Sequence, residues 1–258
     1  MSDLTYLYCV VQRDKAPPLA RAPRGMPGAG APRAIDVGGG LWLVACDAPA
    51  NRYGAVAIER GLSDLAWVSE RALPHEAVVE FVGRSGTVLP MKLFTLFRSD
   101  ERALQHVAGQ RKRITRLLER LAGREEWGIR LLLDEPRALE RAAQSARGEA
   151  MGAPGTEFLL RKKKQRDLSR EVIERGGERA AALFDELSRR ADDARRRPPP
   201  PGSAGRRILL DAAFLVRRGQ VKPFQAAARK AKERLGRDGY ELTLSGPWPP
   251  YNFVAESA

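Results

Sequence analysis

The sequence predicts an α+β protein of two domains, and three observations carry that prediction. Up to residue 133 the apolar patterning runs strand, strand, helix, strand, helix, strand; a proline and glycine run at 198–205 interrupts the second half; a strand, a helix and a last strand follow it. Mixing helices with a few strands in this way suits helices laid on one face of a mainly antiparallel sheet. At 258 residues the chain also exceeds the usual single domain, which holds roughly 100 to 200 residues. The expected division is an N-terminal α+β domain at 1–150 and a C-terminal α+β domain at 151–258, with a proline-rich linker at 198–205.

The elements follow in chain order. Residues 4–11 carry aromatic and β-branched side chains without a breaker and read as a strand. Residues 13–40, rich in Pro, Gly, Ala and Arg, read as a long surface connection. A second strand is expected at 41–46, then a helix over 62–81 with Ser63 as N-cap and Pro74 kinking or splitting it. Residues 86–97 have strand composition, with a bend, bulge or edge at Pro90. Ser99, Asp100 and Glu101 open a helix whose stripe runs through Leu104, Val107, Ile114, Leu117 and Leu121, and Gly123 stops it. A strand at 125–133 and a helix from Pro136 to Ala146 complete the first half.

From 156 to 197 the chain is highly charged and free of proline, with Gly176 and Gly177 as a weak point. One or two long helices with a narrow apolar stripe are expected there. Beyond the linker come a strand at 207–216, a helix at 221–235 and a strand at 240–245, too little to fold alone.

Composition narrows the function classes. An apolar fraction of 43% fits a folded protein. No apolar run approaches the roughly 20 residues that span a bilayer, so no membrane partner is expected. The first residues lack the charged and apolar regions of a secretion signal, which points to the cytoplasm. Cys9 and Cys46 lie in strand-like runs and read as buried free thiols. With His75 and His106 the only histidines, no zinc-ligand spacing exists, and no metal or cofactor is expected. Ser85, in Gly83-Arg-Ser-Gly86, lacks the spacing of a nucleophile elbow. Gly38-Gly-Gly40 precedes a strand instead of joining a strand to a helix, which is the wrong order for cradling phosphate. Both histidines are assigned structural places, and no catalytic residue is named.

Two stretches are candidate binding elements. The first is the segment carrying Trp248, Tyr251 and Phe253, whose aromatic area must be covered, either by locking the last strand onto its own domain or by meeting a partner. The second is the basic run at 161–166, with Arg161, Lys162, Lys163 and Lys164 at its head, in a chain of net charge +13. It reads as a solvated helix face, a polyanion site or an ion-pairing surface for a protein. A basic nucleic-acid-binding protein using this cluster is therefore the alternative function, though acidic residues interspersed through most helices weigh against it.

Several motifs together resemble the GvpL/GvpF family of gas vesicle proteins. In order they are Tyr6-Leu-Tyr8, Leu65-Ala-Trp-Val68, His75-Glu-Ala-Val-Val79, the stretch 86–99, Glu126-Trp-Gly128, Gly155-Thr-Glu-Phe-Leu-Leu-Arg161 and Gly246-Pro-Trp-Pro-Pro-Tyr-Asn-Phe-Val254. The chain departs from the usual pattern at Lys162-Lys-Lys164, at Met91-Lys-Leu-Phe94 and across 195–205. The resemblance implies a modified ferredoxin-like N-terminal domain and a helix-rich C-terminal domain with long charged helices and a β-α-β ending. It further implies a nonenzymatic accessory or minor structural protein, found at the gas vesicle and in the cytoplasm. Its implied partners are the hydrophobic shell subunit and other gas vesicle accessory proteins.

Overall fold

The unbroken apolar run at Leu4–Gln12 forms β1, which is paired on both sides in the computed structural model; the structure describes residues 3–146, 157–199 and 205–254. With β2 (Arg33–Gly38), β3 (Leu41–Ala48), β4 (Thr87–Pro90) and β5 (Leu96–Phe97) it makes an antiparallel sheet. The order is β2-β3-β1-β4, with β5 also on β1. Strand β2 lies inside the stretch expected to be a surface connection; its composition is weak, and its extended form comes from pairing with β3. The register shift between Leu7 and Cys9 is a bulge that resets the alternation, so that Tyr6, Tyr8, Cys9 and Val11 all enter one core.

Three helices follow β3, namely α1 (Ala50–Tyr53), α2 (Ala55–Gly61) and α3 (Leu65–Gly83). Asp64 caps α3, its carboxylate accepting from the N–H groups of Ala66 and Trp67 at 2.8 and 3.2 Å. This corrects the expectation of Ser63, whose hydroxyl donates backwards to the Arg60 carbonyl. Pro74 is accommodated without splitting α3, whose Val78, Val79 and Val82 pack on the sheet. The helix expected after Ser99 is two, α4 (Asp100–Gly109) and α5 (Arg111–Leu121), broken at Gln110. The stretch expected as one strand at 86–97 is likewise two, because residues 91–95 turn through Phe94 at a φ of 65°.

The second unit comprises β6 (Arg124–Asp134), α6 (Glu135–Ala146), α7 (Glu157–Ser188), β7 (Asp193–Arg196), β8 (Arg206–Arg217), α8 (Val221–Gly236) and β9 (Tyr240–Trp248). Its sheet order is β7-β8-β6-β9. Strand, helices, two strands, helix and strand in that order follow the β-α-β-β-α-β arrangement of ferredoxin-like folds. Only α7 occupies the region expected to hold one or two long helices, and the chain turns into β7 before residue 197. The buried face of α7 runs Val172, Gly176, Ala180, Leu183 and Leu187. Gly176 is thus a point of close approach, since a Cβ there would sit 2.9 Å from a methyl of Leu209. Phe214 and Phe224, with ring centroids 5.4 Å apart, join β8 to α8 at the centre of this core.

The units are Met1–Gly123 with Trp248–Ala258, and Arg124–Pro247. The expected boundary at 150 lies outside the described residues, as do residues 200–204 of the expected linker. Strand β6, placed by sequence in the first domain, belongs to the second because it pairs with β8 from Arg124 opposite Arg217 to Asp134 opposite Arg206.

Candidate partner-binding surfaces

The aromatic segment returns to the first unit. Pro249 and Pro250 are buried, Tyr251–Phe253 forms a short 3-10 turn, and Phe253 is fully enclosed. The Tyr251 ring lies 6.3 Å from that of His75 on α3. Burial and the nearby Glu76 carboxylate both push the Tyr251 phenol up. Phe253 is therefore core, a correction to its candidacy as a partner contact, and the unit it completes is the first instead of the one holding the last strand. Tyr251 is half-buried, and Trp248, at 43% exposure, is the one of the three aromatics that faces solvent substantially.

His75 sits at the centre of a buried polar cluster. Its Nε2–H donates to the Met91 carbonyl at 3.2 Å, which leaves Nδ1 to accept from the Tyr6 hydroxyl at 2.7 Å. That hydroxyl in turn accepts from the Phe94 N–H at 3.4 Å. The Tyr8 ring stacks on His75 with centroids 5.6 Å apart, while its hydroxyl accepts from the Met26 N–H at 2.8 Å and meets Cys46 Sγ at 3.3 Å. Burial lowers the His75 pKa to about 4 despite the Met91 bond, and it pushes Cys46 up to about 11 and Cys9 higher still. A neutral imidazole and protonated thiols and phenols make this a structural network holding α3, β1 and the loop at 91–95 together. His106 lies at the surface, its ring 5.2 Å from that of Phe97.

Two leucines on the opposite side of α3 are uncovered. Leu65 is 81% and Leu73 72% exposed, with Leu62 at 57% and Val56 at 71% beside them on the preceding helix and turn. In the sequence Leu62, Leu65 and Leu73 fall at roughly helical spacing together with Ala72, Ala77 and Val78. The distinguishing signal was available in the angle each position takes at 100° per residue, which puts Leu65 and Leu73 away from Val78 and Val82.

The basic run lies within α7. Lys163 is exposed, while the side chains of Arg161, Lys162 and Lys164 lie outside the described residues. Elsewhere in the second unit a cleft of about 350 Å³ is lined by Ala138, Arg141, Leu168, Val172, Arg179 and Tyr240. Its charges are largely satisfied internally, Arg179 by Asp238 and Arg175 by Glu171. Among the described residues there is no cluster suited to holding a metal ion, and no helix long and apolar enough to cross a membrane.

The chain is 30% identical to gas vesicle protein L of a Streptomyces species over 223 residues, covering 84% of this chain and 80% of that protein. It is 27% identical to gas vesicle protein L2 of Halobacterium salinarum, with 99% and 93% covered. The crystal structure of GvpF from an Anabaena species superposes with a TM-score of 0.73 at 16% identity, covering 100% of this chain and 98% of that one. GvpF from Microcystis aeruginosa gives 0.69 at 19% identity, covering 99% and 100%. These two share the fold. Residues 4–255 match the gas vesicle synthesis protein GvpL/GvpF family, and the chain belongs to it.

Proposed function

We propose that this protein is a non-catalytic accessory or minor structural component of gas vesicles that binds the hydrophobic shell subunit and keeps it competent for assembly. The observation that supports this reading is the uncovered leucine surface of the first unit, centred on Leu65 and Leu73. Apolar surface left in water marks interaction sites, and a subunit destined for a water-excluding wall needs its own apolar surface covered until it is placed. The protein acts at the vesicle within the cytoplasm, in company with other gas vesicle accessory proteins.

Co-purification with a tagged shell subunit tests this. Wild-type protein is expected to be recovered, and the Leu65→Gln/Leu73→Gln variant several-fold less. A wild-type chain that fails to co-purify with the shell subunit ends the assembly reading. Equal recovery of a folded variant removes α3 from the interface.

A further inference from the structure

We infer that the outward face of α3 docks a basic amphipathic helix, one whose apolar stripe is bordered by lysine and arginine. Under the assembly reading, on which this rests, that helix belongs to a gas vesicle protein. The chain as a whole carries +13, yet residues 55–83 hold five carboxylates (Glu59, Asp64, Glu70, Glu76, Glu80) against Arg60 and Arg71. Arg71 is withdrawn from the surface. Its guanidinium lies 3.9 Å from the Trp67 ring centroid, donates to the Trp67 carbonyl at 2.9 Å and reaches the exposed Glu70 carboxylate at 3.5 Å from a side chain that is itself 13% exposed.

Periodicity sorts the rest. At 100° per residue, Leu65 and Leu73 fall with Glu70 and Glu80 on the half of α3 opposite His75, Val78, Val79 and Val82, while Glu76 on the same half lies against Tyr251. No lysine or arginine shares that half. The result is an apolar ridge with acidic flanks in an otherwise basic protein. Leu65 and Leu73 stand about 12 Å apart along the axis, two turns, which matches the spacing of apolar anchors on a partner helix. Carboxylates at the flanks select a cationic border by charge complementarity and disfavour an anionic one, nucleic acid and anionic lipid included.

The test uses the full chain and a fluorescent synthetic helix built of leucine and lysine, with a copy in which glutamate replaces lysine. The lysine peptide is expected to bind wild-type protein, and to bind more weakly as salt rises. Leu65→Gln/Leu73→Gln and Glu70→Gln/Glu80→Gln should each weaken it by about ten-fold or more without moving the melting midpoint. Equal binding by wild type and both variants, or equal binding of the glutamate peptide, overturns the proposal. So does a wild-type dimer in sedimentation that Leu65→Gln/Leu73→Gln dissolves, since the face then belongs to a second copy of this chain. Recovery of the shell subunit by wild-type protein is scored separately: its loss sinks the assembly reading alone, and persistence of peptide binding in the variants sinks the helix docking alone.

Discussion

The segment at 248–254 and the outward face of α3 are both rich in apolar residues, and they part company over what covers them. The segment carries the largest rings, and Phe253 among them has no exposure at all; α3 presents two leucines that are each more than two-thirds exposed. The aromatic segment looks like the interface and is mostly core, whereas the leucines look like core and face water. Aromatic size states how much surface must be hidden, not who hides it. Angular position on a helix states which side a residue takes, and there the exposed leucines are separable from the buried valines.

The largest effect is expected at Phe253. Replacing it with alanine is expected to cost about 3–5 kcal/mol of stability in the first unit, as deletion of a fully buried ring does; a chemical denaturation midpoint close to wild type would return the segment to the list of partner contacts. Acidification should act on the same packing through His75. Its folded pKa of about 4 lies below the ordinary 6.5, so the unfolded chain takes up the proton first. The stabilisation is complete above pH 6.5 and drains away as pH falls towards 4, by roughly 3 kcal/mol in all. Melting His75→Gln beside wild type at pH 7 and pH 4.5 checks this, with the variant expected to show the flatter pH dependence.

Exposed positions should respond less. Trp248→Ala, at a half-exposed position, should cost about 1 kcal/mol, readable as a modest drop in melting temperature beside that of Phe253→Ala. Leu65→Gln/Leu73→Gln should stay within about 0.5 kcal/mol of wild type per substitution, while shell-subunit recovery falls. A large loss of stability there would mean that the leucines are covered after all.

Much of this was legible beforehand, for physical reasons that can be named. The strand at 4–11, the strand at 41–46 and the helix at 221–235 announced themselves through local patterning, and the gas vesicle family through motifs spread along the chain. Pairing was another matter. Nothing local in 124–134 tells that β8 is its partner, and so the unit to which it belongs was misassigned. The strand Arg33–Gly38 owes its form to β3, and Gly176 reads as a flaw until Leu209 is seen against it. The aromatic segment had to dock, but only the fold identifies His75 and its neighbours as the place.

The division of the chain carries a last consequence, for the order of events during synthesis. The first unit is left at Gly123 and resumed at Trp248, so everything in Arg124–Pro247 leaves the ribosome before Phe253 does. The earliest strands of the protein thus wait, with part of their core open, for side chains translated after the whole of the other unit. A ribosome stalled anywhere before Trp248 displays a first unit lacking that closure, and the half most exposed to water in the interval is the half made first.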